Sequence, residues 1–139
     1  AKARLREALL SAAKQGAAAD VDRAVEQGAS ISATNAAGWS ALHCAASRQD
    51  PGGLQCIRRL VEAHGANVNA LDRQQQTPLF VAAREGTEEC VAFLLGSGAD
   101  ARLADERGDT ALFDAAQKRR PGVVAQLLER GASGGHRSA

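Results

Sequence analysis

Residues 77–86 read Thr77-Pro78-Leu79-Phe80-Val81-Ala82-Ala83-Arg84-Glu85-Gly86. A hydroxyl residue ahead of a proline marks a helix start, because the side chain can accept from a first-turn N–H and proline at the first helical position has none to satisfy. Leu79 precedes Ala82 and Ala83 by three and four residues, which places all three on one helical face. Gly86 interrupts the pattern. A second helix follows with Cys90-Val91 and Leu94-Leu95, and Gly98 falls where a left-handed C-cap needs no side chain.

The same arrangement recurs along the chain. Alanine pairs stand at 12–13, 45–46, 82–83 and 115–116, at spacings of 33, 37 and 33, and Gly-Ala pairs at 28, 65, 98 and 131, at spacings of 37, 33 and 33. Two markers with one period define an internal repeat. Both series shift by four residues in the second unit, which locates a single insertion between Ala46 and Gly65. Asp50-Pro51-Gly52-Gly53 reads as a turn-forming run, so the expectation is a longer loop between the two helices of that unit. The starts Ser40-Ala41-Leu42 and Thr110-Ala111-Leu112 match Thr77-Pro78-Leu79. Cys56-Ile57 with Leu60-Val61, and Val123-Val124 with Leu127-Leu128, match the second helix. After each Gly-Ala comes an extended stretch such as Asn67-Val68-Asn69-Ala70. A turn follows at 35–39, 72–76 or 105–109, opened by Asn or Asp as a tight hairpin prefers.

Composition fits a core built by repetition. Alanine supplies 31 of the 139 residues, whereas Leu, Ile, Val and Phe together supply 27, too few for an ordinary single core unless small residues let helices approach closely. A net charge of +1 excludes a global field for nucleic acid or an anionic membrane. Gly28 to Ser47, the longest stretch without a charge, is rich in Ser, Thr and Asn and does not resemble a membrane span. Three cysteines, with no leader recognisable at the start, suit a reducing compartment, cytoplasm or nucleus. A sequence that opens on Ala1 suggests a fragment or a processed chain.

These motifs resemble the ankyrin-repeat family, carried by Thr77 to Gly86, by Leu94-Leu95 with Gly98-Ala99-Asp100, by Ser40-Ala41-Leu42-His43-Cys44-Ala45-Ala46, and by His64-Gly65-Ala66-Asn67-Val68-Asn69-Ala70. The resemblance covers roughly residues 5 to 133. It implies an all-α solenoid of stacked helix-turn-helix units with short β-hairpin fingers. We expect one domain over 1–133, with repeats at 1–34, 35–71, 72–104 and 105–133 and a flexible tail at 134–139. Gln75 and Arg119 stand where the family usually has glycine, so a tighter or strained backbone is expected at the hairpin of the third unit and at the last interhelical turn. Lys2, Arg4, Arg6 and Glu7 give the first unit the character of a polar cap, while Val123, Val124, Leu127 and Leu128 imply either a weak C-terminal cap or further sequence in the parent protein.

No nucleophile, base and orienting group lie at a recognised spacing, and the glycines punctuate units rather than form a phosphate loop. Cys44, Cys56 and Cys90 lack the paired short spacings of zinc ligands and read as small core residues. No cofactor or metal is expected. By resemblance His43 ties neighbouring units together, and Asn69 sits where some ankyrin repeats are hydroxylated. His43, His64 and His136 lie in three different settings. Lys118-Arg119-Arg120 reads as a solvated helix end, without aromatic neighbours for bases.

The resemblance further implies a non-catalytic protein-interaction module that binds a protein or peptide on a concave surface made by the hairpin tips and the inner-helix positions after each alanine pair. The candidate contacts are Trp39, Arg48, Arg73, Gln74, Gln76, Arg84, Glu85, Arg107, Asp109 and Lys118. Their mixed charges favour a partner with interspersed charges over a uniformly anionic one. Trp39 admits two readings, an exposed anchor or a ring folded back over its own hairpin and the next. A targeting or inhibitory region of a larger assembly, such as a ubiquitin ligase receptor, would use the same surface. The domain is expected to be a monomer within a larger protein, with no nucleic-acid partner and no membrane insertion.

Overall fold

The computed structural model describes residues 2–130. The expected tail at 134–139, His136 and the Gly131-Ala132 pair lie outside them. Eight α-helices form four antiparallel pairs: α1 Lys2–Gln15 and α2 Ala18–Glu26, α3 Ala41–Ala46 and α4 Pro51–Arg58, α5 Pro78–Glu85 and α6 Glu88–Gly96, α7 Ala111–Gln117 and α8 Pro121–Glu129. Contacts run from α1 to α3 to α5 to α7 in an inner row, and from α2 to α4 to α6 to α8 in an outer row. No isolated unit could bury both of its helices. The two-layer stack does so by adding neighbours.

Alanine pairs line the inner row. Ala13, Ala46 and Ala83 are fully buried because the next inner helix covers each. Ala116, which no described helix follows, is exposed. Leu9, Leu42, Leu79 and Leu112 fill the seam beside them, and Cys56, Ile57, Leu60, Cys90, Val91, Leu94, Val123 and Leu127 form the outer-row core. All three cysteines are buried thiols. Burial pushes Cys44 and Cys56 up to about 11 and raises Cys90 as well, so thiolate is scarce at neutral pH.

Between the pairs run tight fingers at 35–39, 72–76 and 105–109. Asn35, Asp72 and Asp105 each use one side-chain oxygen to accept two backbone N–H groups of their own turn, at 2.8–3.0 Å. Single antiparallel bridges join Thr34 to Ser40 and Ala104 to Thr110. The fingers are therefore turns with one ladder rung rather than extended strands. Gly38 and Gly108 take φ of 81° and 84° at the tips, and Gln75 takes 64° at the equivalent position. Arg119, at 57°, likewise repeats the left-handed geometry of Gly16 in the first interhelical turn. Both departures from glycine thus carry the backbone strain that the sequence suggested.

The insertion behaves differently from its sequence reading. In all four units the outer helix starts five residues after the second alanine, so the interhelical connection of the second unit is not lengthened. Three of the extra residues extend the start of α4, bringing Cys56 three positions further along its helix than Cys90. The fourth lies between Leu60 and Gly65 and is absorbed by a π-helical turn, Arg59–Ala63, where His64 N–H donates to the Arg59 carbonyl at 3.2 Å. Pro51 begins a helix and Asp50 occupies the cap position. The glycines serve close approach. A Cβ on Gly52 would stand 2.6 Å from the Gly16 carbonyl oxygen, and one on Gly53 would stand 2.8 Å from that of Ala45.

Two opposite substitutions test this account. Gly52→Ala adds the better helix former yet should destabilise by about 1–3 kcal/mol through overpacking against Gly16. Gln75→Gly should stabilise by about 0.5–1 kcal/mol by relieving a left-handed side chain. Urea unfolding midpoints at constant m-value measure both, and a stabilised Gly52→Ala would remove the close-approach explanation.

Candidate interaction face

The helix N-caps fix how each finger meets the inner row. Ser40 N–H donates to His43 Nδ1 at 3.1 Å, which leaves Nε2–H to donate to the Gln76 carbonyl at 2.9 Å. His43 is fully buried and joins its own cap to the next finger. In the following unit Phe80 occupies the histidine position, and Thr77 Oγ1 is left buried without a hydrogen-bond partner. Burial holds the His43 imidazole below its usual range, against the pull of the Gln76 bond and of Asp72.

The fingers are linked edge to edge. Arg73 N–H donates to the Ala37 carbonyl at 3.2 Å and Glu106 N–H to that of Gln74 at 3.1 Å. A side-chain ladder runs alongside: Trp39 Nε1–H donates to Asp72 Oδ2 at 3.1 Å, and Gln76 Nε2 donates to Asp105 Oδ2 at 2.9 Å. Trp39 and Gln76 occupy equivalent positions. Each opening aspartate uses one oxygen for its own turn and the other for the preceding unit.

This arrangement revises part of the sequence reading. Gln76, placed from register on an exposed tip, is buried at 3% exposure because its amide serves the ladder. Trp39 is half-buried and stacks on His43 at 6.1 Å between centroids, so it folds over its own hairpin and reaches the next. Arg48 is also engaged internally: it donates to the Lys14 carbonyl at 2.6 Å and to Asp50 Oδ1 at 2.8 Å, spanning the end of α1 and the start of α4. That contact holds Asp50 at about 2. Arg120, from the basic run, donates to the carbonyls of Ala82, Ala83 and Gly86 and so caps the end of α5.

A polar network that periodicity did not reveal lies between the last two units. Arg84 Nη1 donates to Asp114 Oδ2 at 3.2 Å and to Gln76 Oε1 at 3.1 Å, while Arg84 Nε meets Glu85 at 3.1 Å. Burial raises the Asp114 carboxyl, Arg84 opposes that rise, and Asp105 and Asp109 add to it. Asp105 is desolvated too, but bonds from Gln76 and from the Asp109 and Arg107 backbones hold it below its usual range. The available sequence signal was an aspartate at 114 where the other units have Cys44 and Val81.

Arg73, Gln74, Arg107 and Lys118 are exposed, and Glu85 and Asp109 are half-buried. With Ala36, Ala37, Glu106 and Gln117 they belong to the accessible part of the inner face. On the outer row, Asp22 accepts from His64 Nε2 at 2.7 Å and from Arg59 Nε at 3.1 Å, tying α2 to the π-helical turn. These bonds, that from His64 foremost, hold the Asp22 carboxyl low. The Asn69 amide joins two units, donating to the Gly98 carbonyl and accepting from Asp100 N–H.

The repeated helix pairs, the hairpin fingers and the hydrogen bonds between units make this chain a member of the ankyrin-repeat family, whose model for three copies matches residues 9–105 and again 52–137. Ankyrin repeats are protein-interaction modules. Among curated proteins the chain is similar to the probable E3 ubiquitin-protein ligase XBOS31 of Oryza sativa subsp. japonica, at 45% identity over 45% of this chain and 13% of that protein. It is similar to ankyrin repeat and SOCS box protein 2 of Bos taurus, at 34% over 55% of the chain and 12% of that protein. To E3 ubiquitin-protein ligase KEG of Arabidopsis thaliana it is 36% identical over 52% of the chain and 4% of that protein. The chain thus spans at most about an eighth of the curated relatives it matches. No described helix is long and apolar enough to cross a membrane.

Two measurements probe the joints between units. A double-mutant cycle of Trp39→Phe and Asp72→Asn should give a coupling of about 0.5–1.5 kcal/mol for the indole bond, and additive effects would mean that the bond contributes nothing. The unfolded chain binds a proton at His43 more readily than the folded one. Stability from that site is therefore full above the ordinary imidazole pKa of about 6.5 and is lost as pH falls through it. Between pH 7.5 and 5.5 the wild type should lose more stability than His43→Gln, and equal losses would remove His43 as the source.

Proposed function

We propose that this domain is a non-catalytic binding module that holds a protein or peptide partner on its inner face, between the finger tips and the exposed ends of α1, α3, α5 and α7. The observation that carries this reading is how differently the two sides of the fingers are used. The inward-turned groups Trp39, Gln76, Asp72 and Asp105 are committed to the ladder. The tips, Ala36, Ala37, Arg73, Gln74, Glu106 and Arg107, remain exposed on a rigid backbone. A surface ordered beforehand loses little entropy when a partner docks.

A second reading is favoured by the relatives: the domain serves as the targeting region of a larger assembly, presenting a captured protein to a ubiquitin ligase. Two of the three relatives are named E3 ubiquitin-protein ligases and the third carries a SOCS box. The reading requires the same inner face, so one experiment serves both. A monomeric domain in a reducing compartment suits either, with Cys44, Cys56 and Cys90 kept as thiols.

Matched triple variants provide the test. Ala36→Arg with Gln74→Arg and Glu106→Arg alters one exposed position on each finger. Gln55→Arg with Ala92→Arg and Ala125→Arg alters one on each of three outer helices. Each substitution should change stability by no more than about 0.5 kcal/mol. In affinity capture from lysate read by mass spectrometry, the finger set should lose the proteins that the wild type retains, while the outer set keeps them. Loss confined to the outer set would overturn the reading.

A further inference from the structure

The cations of the inner face fall into two groups. Arg48, Arg84 and Arg120 are consumed by internal acceptors: Asp50 and the Lys14 carbonyl, Asp114 with Glu85 and Gln76, and the carbonyls at the end of α5. Arg107 lies 3.7 Å from Asp109 and 3.9 Å from Asp105. Arg6, Lys14, Arg73 and Lys118 are exposed and take part in no ion pair among the described residues. The first three border the first two units. Arg6 lines a cleft between α1 and the first finger with Glu7, Leu10, Thr34, Asn35 and Ala36. Lys14 is exposed in the last turn of α1, the helix that packs against α3. Arg73 packs its stem over Gly38 beside that same finger.

The opposite half of the face has the reverse balance. Asp105, Asp109 and Asp114 lie near enough to one another to interact electrostatically, and Glu85 and Glu106 stand beside them. Arg84 and Arg107 neutralise only part of this charge, and Lys118 stands exposed at the end of α7. An acidic segment would therefore be repelled from the last two units and drawn towards the first two.

We infer that the cleft between α1 and the first finger is the subsite for an acidic-aliphatic peptide segment, whose carboxylates lie among Arg6, Lys14 and Arg73 and whose aliphatic side chain enters the cleft beside Ala36 and the edge of Leu10. The inference rests on the inner-face reading of the domain's function and deepens it by fixing both the partner's chemistry and its direction. The acidic end lies over the first two units, and the remainder of the partner crosses towards α7 as neutral or basic sequence. Among the described residues Glu7 is the one carboxylate lining the cleft. It disfavours an acid directly above it and so places the partner's carboxylates nearer Lys14 and Arg73.

Two probe peptides, Ac-Glu-Leu-Glu-Leu-Glu-NH2 and Ac-Lys-Leu-Lys-Leu-Lys-NH2, titrated to millimolar concentration against the isotope-labelled domain, test this by amide chemical shifts. The acidic peptide should perturb the amides of α1 and residues 34–39, and Lys14→Glu with Arg73→Glu should weaken it about tenfold at an unchanged thermal midpoint. If the variant unfolds, raising salt on the wild type gives the same reading, and the acidic peptide should weaken steeply. If the basic peptide takes the α1 cleft, or the acidic one binds over α7 or nowhere, the inference fails while the inner-face reading stands. Perturbations from both peptides confined to α2, α4, α6 and α8 would sink both.

Discussion

How near one inner helix can come to the next is decided by the alanine pairs. A methyl group is small enough to let α1, α3, α5 and α7 pack with the fingers ahead of α3, α5 and α7 in contact. Were the spacing wider, Arg73 N–H would not reach the Ala37 carbonyl, nor would His43 reach Gln76. The polar links between fingers thus depend on an apolar dimension. They in turn order the turns whose tips face outward.

Within the fingers, the repeated use of one residue in two roles gives the row its coherence. Asp72 and Asp105 close their own turns and receive a donor from the unit before. The donor differs, an indole at 39 and an amide at 76, because the position demands only an N–H at the right reach. At 109 the chain has an aspartate, which offers an acceptor instead. Chemistry at this rung is fixed by its neighbour on the far side, so it varies while the opening Asx residue does not.

The fold was legible because its signals are periodic and local. The alanine pairs, the Ser/Thr starts and the Asx-opened turns each state a helical face, a cap or a tight turn, and the structure returns them in register. Gly38 and Gly108 take a left-handed tip, and Gln75 adopts it as well because the backbone of the row requires it. What escaped was contact between side chains some thirty residues apart. The burial of Gln76, the partner of Trp39 and the pairing of Arg84 with Asp114 depend on how neighbouring units are offset, a quantity no single repeat encodes. Asp50-Pro51-Gly52-Gly53 misled for a different reason. Glycine beside proline suggests a turn, but here Gly52 clears the backbone of the preceding unit at Gly16, and Gly53 that of α3 in its own unit at Ala45, at the start of a helix.

The longer α4 and its π-helical turn place all four additional residues in the outer row. The inner row and the fingers keep their cadence as though nothing had been added, since the chain returns to Gly65 in phase. Length can thus change on one side of such a domain without re-spacing the contacts on the other. The outer layer acts as a buffer for sequence drift, and the geometry offered to a docking polypeptide is insulated from it.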